Sequence, residues 1–137
     1  MTLNETQDDL IAEFDGREEA FEKYAHLIEL GETLPPLPEA CRNDTNALPG
    51  CQSKVWLVAE SRGANLHFHA DSDAKIIRGL LAVLLRVVND RPPREIAGAD
   101  LYCLDRIGLR AHLSPARADG LAGIVAAIQA HATAALK

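Results

Sequence analysis

The sequence predicts an α+β fold: a small antiparallel β-sheet packed with helices. Three observations predict it. Asn65-Leu66-His67-Phe68-His69-Ala70 alternates apolar and polar residues, as a half-buried strand does, and follows the β-rich run Val55 to Ala59 across a short turn. Apolar residues then recur at helical spacing through 76–88 and again through 121–128. The composition, 47% hydrophobic and 25% charged over 137 residues, is that of an ordinary soluble domain. Such a chain can bury a core without disulfides or a metal, and residues 1–137 read as one domain.

The elements follow in order. Leu10, Ile11 and Phe14 suggest a short first helix, interrupted at Asp15-Gly16. From Arg17 to Leu30, Phe21, Tyr24, Leu27 and Ile28 fall at helical spacing, and Gly31 is placed as a C-terminal stop. Residues 32–50 change character: three prolines among 35–38, then Asn43, Asp44, Asn46, Pro49 and Gly50, read as a long irregular loop. The hairpin follows, with Ser61-Arg62-Gly63-Ala64 as its turn. Asp71-Ser72-Asp73 offers N-cap oxygens to a central helix from about Ala74 to Asn89, ended by Pro92-Pro93. Residues 94–112 hold a short helix and connections. Ser114-Pro115 starts a last helix whose buried stripe is Leu121, Ile124, Val125 and Ile128.

Charge excludes some functions. The net charge is −6, and no cluster of Lys and Arg suits a phosphate backbone. With 4% aromatic residues there is no platform for stacking bases. The most apolar run, Ile76 to Val88, contains Arg78 and Arg86 and falls short of the roughly 20 residues of a membrane span. Met1 to Glu5 lacks the basic start of a signal peptide, so the expected location is cytoplasmic.

The chemistry rests on three cysteines, Cys41, Cys51 and Cys103, none in a C-x-x-C pair. In a cytosolic protein these read as free thiols. Cys103 is flanked by Leu101, Tyr102 and Leu104 and reads as core. Cys41 lies in the irregular loop without a strand beside it. Cys51 is different: it follows Gly50 directly, at the junction of loop and strand, where a missing side chain lets a bulky partner approach. A nucleophilic thiol needs access and a stabilised thiolate. On the residues alone, a presented thiol and a buried structural one both remain open. His67 and His69 share one strand face, as solvent-facing residues or as a metal pair. No metal site is expected, because no tight ligand spacing appears. A cysteine hydrolase would need a base from His26, His67, His69, His112 or His131, and sequence places none beside Cys51.

Gly50-Cys51-Gln52-Ser53-Lys54-Val55-Trp56 resembles the SufE family of sulfur-acceptor proteins at its glycine–cysteine pair and following Val-Trp. Ile28-Glu29-Leu30-Gly31 with Leu34-Pro35, Asp71-Ser72-Asp73-Ala74 with Ile76 and Gly79-Leu80, and His112-Leu113-Ser114-Pro115-Ala116-Arg117 with Gly120-Leu121 agree in order and separation. The resemblance covers nearly the whole chain and implies a SufE/IscU-like fold. It implies that Cys51 accepts persulfide sulfur from a SufS-like cysteine desulfurase, stimulates it, and delivers the sulfur to an iron–sulfur scaffold complex. Pyridoxal phosphate belongs to that partner, so no cofactor is expected here. Thiol exchange needs a thiolate aimed at sulfur, and a persulfide needs shelter from other thiols, for which an apolar pocket including Trp56 is a candidate. Two further residues take alternative roles. Asp73 either caps the central helix or tunes the Cys51 loop; Arg117 is either a surface charge or a cation for the partner or the thiolate. Cys41 and Cys103 gain no role, apart from a regulatory disulfide between Cys41 and Cys51. The competing function is an iron–sulfur assembly scaffold binding metal through cysteines. Gln52-Ser53 leans towards SufE proper over its paralogue class. The oligomeric state, monomer or homodimer, stays open.

Overall fold

The computed structural model describes residues 1–17, 19–48, 53–107 and 115–136, with the backbone alone for Ala20, Ala116 and Arg117. Helix α1 (Leu3–Asp15) begins about two turns before the cluster Leu10, Ile11 and Phe14. The reason is a capping box: the Glu5 amide donates to Thr2 Oγ1 at 3.1 Å, and the Thr2 amide donates to Glu5 Oε1 at 3.0 Å.

Helix α2 (Ala20–Glu32) runs through Gly31, the expected stop, and ends at Thr33. Gly31 instead serves a close helix crossing. A Cβ there would lie 2.8 Å from the Gly79 backbone nitrogen, and a Cβ on Gly79 would lie 2.3 Å from the Leu27 carbonyl oxygen. Two glycines facing each other let α2 press against helix α3 (Lys75–Val88). Along α3 only Lys75 and Arg86 are exposed, as expected of a central helix.

Strands β1 (Val55–Arg62) and β2 (Asn65–Ser72) pair antiparallel from Val55↔Ser72 to Arg62↔Asn65. The turn between them is Gly63-Ala64, with Gly63 at φ 60°, a conformation two-residue hairpins fill with glycine. Val55 and Leu57 face inward from β1; Leu66, Phe68 and Ala70 face inward from β2. The expected α+β architecture is therefore the one observed.

Both sheet edges are covered. Ala47 bridges Trp56, with the Leu48 amide donating to the Val55 carbonyl and the Leu57 amide to the Asn46 carbonyl, each at 2.9 Å. Residues 46–48 are thus a strand stub inside the segment read as irregular. On the other edge the Asn89 side chain accepts from the Phe68 amide at 2.7 Å and donates to the Phe68 carbonyl at 3.2 Å. Short helices α4 (Pro93–Ala97) and α5 (Cys103–Arg106) lead to α6 (Pro115–Ala135), which packs on α4 and buries Leu121, Ile124 and Ile128. Ser114, the expected cap of α6, lies outside the described residues.

The glycine crossing makes a direct prediction. Gly79→Ala should destabilise the fold by roughly 2–3 kcal/mol, because the obstructing atom is backbone. Gly123→Ala, at a helical site with open space around it, should instead stabilise by about 0.5–1 kcal/mol. Urea unfolding of both variants checks the contrast; equal shifts would contradict it.

Candidate functional site

The outer face of the hairpin is organised in rows. Trp56 pairs with Asp71, Val58 with His69 and Glu60 with His67. By the two-residue period these side chains point away from α3. Asp71 should therefore meet solvent, yet it is 1% exposed. The segment between α2 and the strand stub covers it. Arg42 pairs with Asp71 Oδ2, and the Leu37 amide donates to the same oxygen at 3.4 Å. Arg78 of α3 approaches Oδ1 at 3.2 Å and donates through Nη2 to the Leu34 carbonyl at 3.0 Å. The Arg42 guanidinium also lies 5.5 Å from the centre of the Trp56 ring, within cation–π range. Trp56, the candidate shelter residue, thus has a cation on its face rather than a purely apolar setting.

This covered end of the hairpin is where the Cys51 segment joins. Cys51 itself lies outside the described residues, as does the side chain of Arg117. The described flanks on either side are firmly held. Leu48 and Val55 are hydrogen-bonded across the bridge, so six residues, 49–54, connect two fixed points. The last of these, Lys54, is clamped at its backbone. Its amide donates to Asp73 Oδ1 at 3.0 Å, and its carbonyl accepts from Ser72 Oγ at 2.7 Å and from the Asp73 amide at 3.3 Å.

Asp73 therefore does not cap α3. Ala74 holds the N-cap position with no side-chain cap bond from its own side chain, and the Ala74 amide donates to Ser72 Oγ at 3.2 Å. Of the three expected capping residues, Asp71 holds the covering segment, Ser72 serves both helix start and Lys54, and Asp73 ties the foot of the Cys51 segment.

The other thiols are placed clearly. Cys103 is fully buried, and burial pushes its thiol pKa up to about 11. That is a core residue, inert as a nucleophile near neutral pH. Cys41 ends a 3₁₀ turn, Glu39–Cys41, is half-buried and free, and its carbonyl accepts from Asn46 Nδ2 at 2.9 Å.

His67 and His69 lie side by side on the outer face, and the other described histidines lie elsewhere. His26 is buried edge-on to Phe14, with Glu13 at 3.2 Å and Glu29 at 3.8 Å. His67 lies 2.9 Å from Asp90 and His69 lies 2.7 Å from Glu60. The His131 ring lies 6.2 Å from that of Phe68. His112 lies outside the described residues. Among the described residues no three metal-ligating side chains converge, and no helix is long and apolar enough to cross a membrane.

Sequence reasoning missed Arg42 and Asp71 as a pair. The available signal was parity: an aspartate on the outer face of a strand, 29 residues after an arginine in a segment rich in proline. Parity alone could not say that this segment folds back over the strand.

Comparison with known proteins agrees with the geometry. The SufE family model, described as an Fe–S metabolism associated domain, matches residues 8–132. An uncharacterized SufE-like protein of Rhizobium meliloti (strain 1021) is 38% identical over 130 residues, which span 91% of this chain and 93% of the relative. The solution structure of a hypothetical protein from Thermus thermophilus superimposes with a TM-score of 0.78, covering 96% of each chain at 17% identity, and speaks to the fold alone. With the family model spanning all but the ends of the chain, this protein belongs to the SufE family, sulfur acceptors of iron–sulfur assembly that activate a separate cysteine desulfurase and are not enzymes themselves.

Proposed function

We propose that Cys51 is the sulfur-carrying residue. Its thiolate attacks the outer sulfur of a persulfide on the desulfurase's cysteine. A new S–S bond forms on Cys51, the partner's S–S bond breaks, and the partner cysteine leaves as a thiolate. No external oxidant or reductant is needed. The sulfur then passes to an iron–sulfur scaffold complex, and draining the partner's persulfide frees it for another turnover. The desulfurase is SufS-like, brings its own pyridoxal phosphate, and meets this protein in the cytoplasm.

The observation that carries this reading is the clamp at Lys54. Three hydrogen bonds fix the residue three positions after Cys51, and a bridge fixes the residue three positions before it. Such flanks suit a thiol presented at a constant place. Cys103, with its raised pKa and full burial, suits no transfer chemistry. Asp73 is the positioning residue in this scheme, acting through the Lys54 amide. Arg117, near the start of α6, is kept as a partner contact. No observation favours a scaffold that binds metal through its cysteines, since no set of three ligands converges among the described residues.

Intact-protein mass spectrometry tests the central step. After incubation with an active cysteine desulfurase and cysteine, the protein should gain one reducible sulfur atom, and Cys51→Ser should gain none. Sulfur retained by Cys51→Ser would overturn the assignment.

A second measurement tests Asp73. Losing one hydrogen bond to a backbone amide is worth about 1 kcal/mol, or roughly fivefold in a local opening equilibrium. In a Cys41→Ser background, Asp73→Ala should raise the rate of Cys51 alkylation by iodoacetamide about fivefold and speed hydrogen exchange at the Lys54 amide. Unchanged rates in both would show that this tether does not govern access.

A further inference from the structure

The far end of the outer hairpin face, away from the covered Asp71, holds two histidines in an arrangement that sulfur transfer does not use. Residues two apart on a strand are separated by about 6.6 Å along the backbone. The ring centres of His67 and His69 are only 4.9 Å apart, tilted 60° to one another. The rings lean together rather than standing parallel.

Each ring is held by a carboxylate at one nitrogen. His67 Nδ1 lies 2.9 Å from Asp90 Oδ1, and His69 Nε2 lies 2.7 Å from Glu60 Oε2. A carboxylate accepts, so these nitrogens carry the ring protons. In the neutral rings the lone pairs then sit on the opposite nitrogens, His67 Nε2 and His69 Nδ1. This is the orientation that carboxylates impose on metal-binding imidazoles. Both carboxylates are themselves placed. Asp90 adopts φ 63° just after α3, with its amide donating to the Leu66 carbonyl at 2.8 Å. Glu60 is also held by Arg62, whose Nε donates to Oε2 at 3.3 Å.

His67 and His69 also line a surface cavity of about 380 Å³, bounded by Pro35, Pro36 and Arg86 among others. That is room for water molecules to complete a coordination sphere.

We infer that His67 and His69 form a labile site for a divalent first-row transition ion such as Ni²⁺ or Zn²⁺, with Asp90 and Glu60 orienting the two rings. Imidazole suits these ions. Two protein ligands, with the remainder from water, make a surface site of exchangeable metal rather than a closed structural one. The site is independent of the sulfur-transfer reading.

Thiols would compete for metal, so the test uses the full chain carrying Cys41→Ser and Cys51→Ser; Cys103 is buried. Calorimetric titration with Ni²⁺ at neutral pH should show one ion bound per chain. His67→Ala and His69→Ala should each weaken that binding about tenfold or more, and Asp90→Asn and Glu60→Gln by about 10–100-fold. Circular dichroism confirms that each variant remains folded, and in NMR the paramagnetic ion should broaden the His67 and His69 ring protons first. No saturable uptake by the parent, or equal uptake by His69→Ala, would overturn the inference.

Discussion

The structure turns on a carboxylate with almost no contact with water. Asp71 occupies an outward position on β2, where solvent would normally solvate it. Instead Arg42, Arg78 and the Leu37 amide surround it. Burying a lone carboxylate is prohibitive, while a paired and hydrogen-bonded one is tolerated. The arrangement is therefore reciprocal. The covering segment gives Asp71 its partners, and Asp71 gives that segment its fixed point. Removing one partner of such a buried pair typically costs about 3–5 kcal/mol, although Arg42, itself 40% exposed at the side chain, makes the lower end apt here.

The consequences run in both chain directions. Towards the helices, Arg78 links the cluster to α3, which can approach α2 closely because Gly31 and Gly79 meet. Towards the thiol, the fixed Arg42 leads through Asn46 to the stub that pairs with β1. Asn43 Oδ1 accepts from the Asn46 amide at 3.1 Å and Asn46 Nδ2 donates to Cys41, so this stretch is stitched by its own side chains. Proline and asparagine were signs of irregular backbone, and the backbone is indeed largely irregular. It is nonetheless ordered by specific bonds that composition does not reveal.

How much was legible follows from this distinction. Periodicity reports which face of an element is buried, and so it found the hairpin, the central helix and the last helix. Local motifs were less decisive. The capping box at Thr2 and Glu5 extended α1 beyond its apolar residues. Gly31 has the composition of a stop but the environment of a contact, and only the facing Gly79 separates the two. Asp71-Ser72-Asp73 reads as three equivalent caps, whereas only Ser72 serves the helix start, Asp71 pairs with Arg42, and Ser72 and Asp73 both bond the Lys54 backbone. The candidate thiol was found because its signal is local, Gly50-Cys51 before a strand. Asp73 was marked as a cap or as a tuner of that segment, but the bonds from Asp73 and Ser72 to Lys54 span 18 to 19 residues and have no local signal.

A sulfur carrier faces opposed demands: its persulfide must be shielded, yet a bulky partner must reach it. One physical solution is to make the surroundings rigid. The described residues have that character. Val55 is locked to Leu48 on one side and Ser72 on the other, and Lys54 is held by three bonds. At about 1 kcal/mol net per hydrogen bond, releasing this foot costs several times thermal energy. Under the role proposed for Cys51, a rigid frame would shorten the search for an in-line approach to the partner's sulfur. Under that proposed role, the buried Asp71 would serve transfer by keeping the frame from yielding when the two proteins meet.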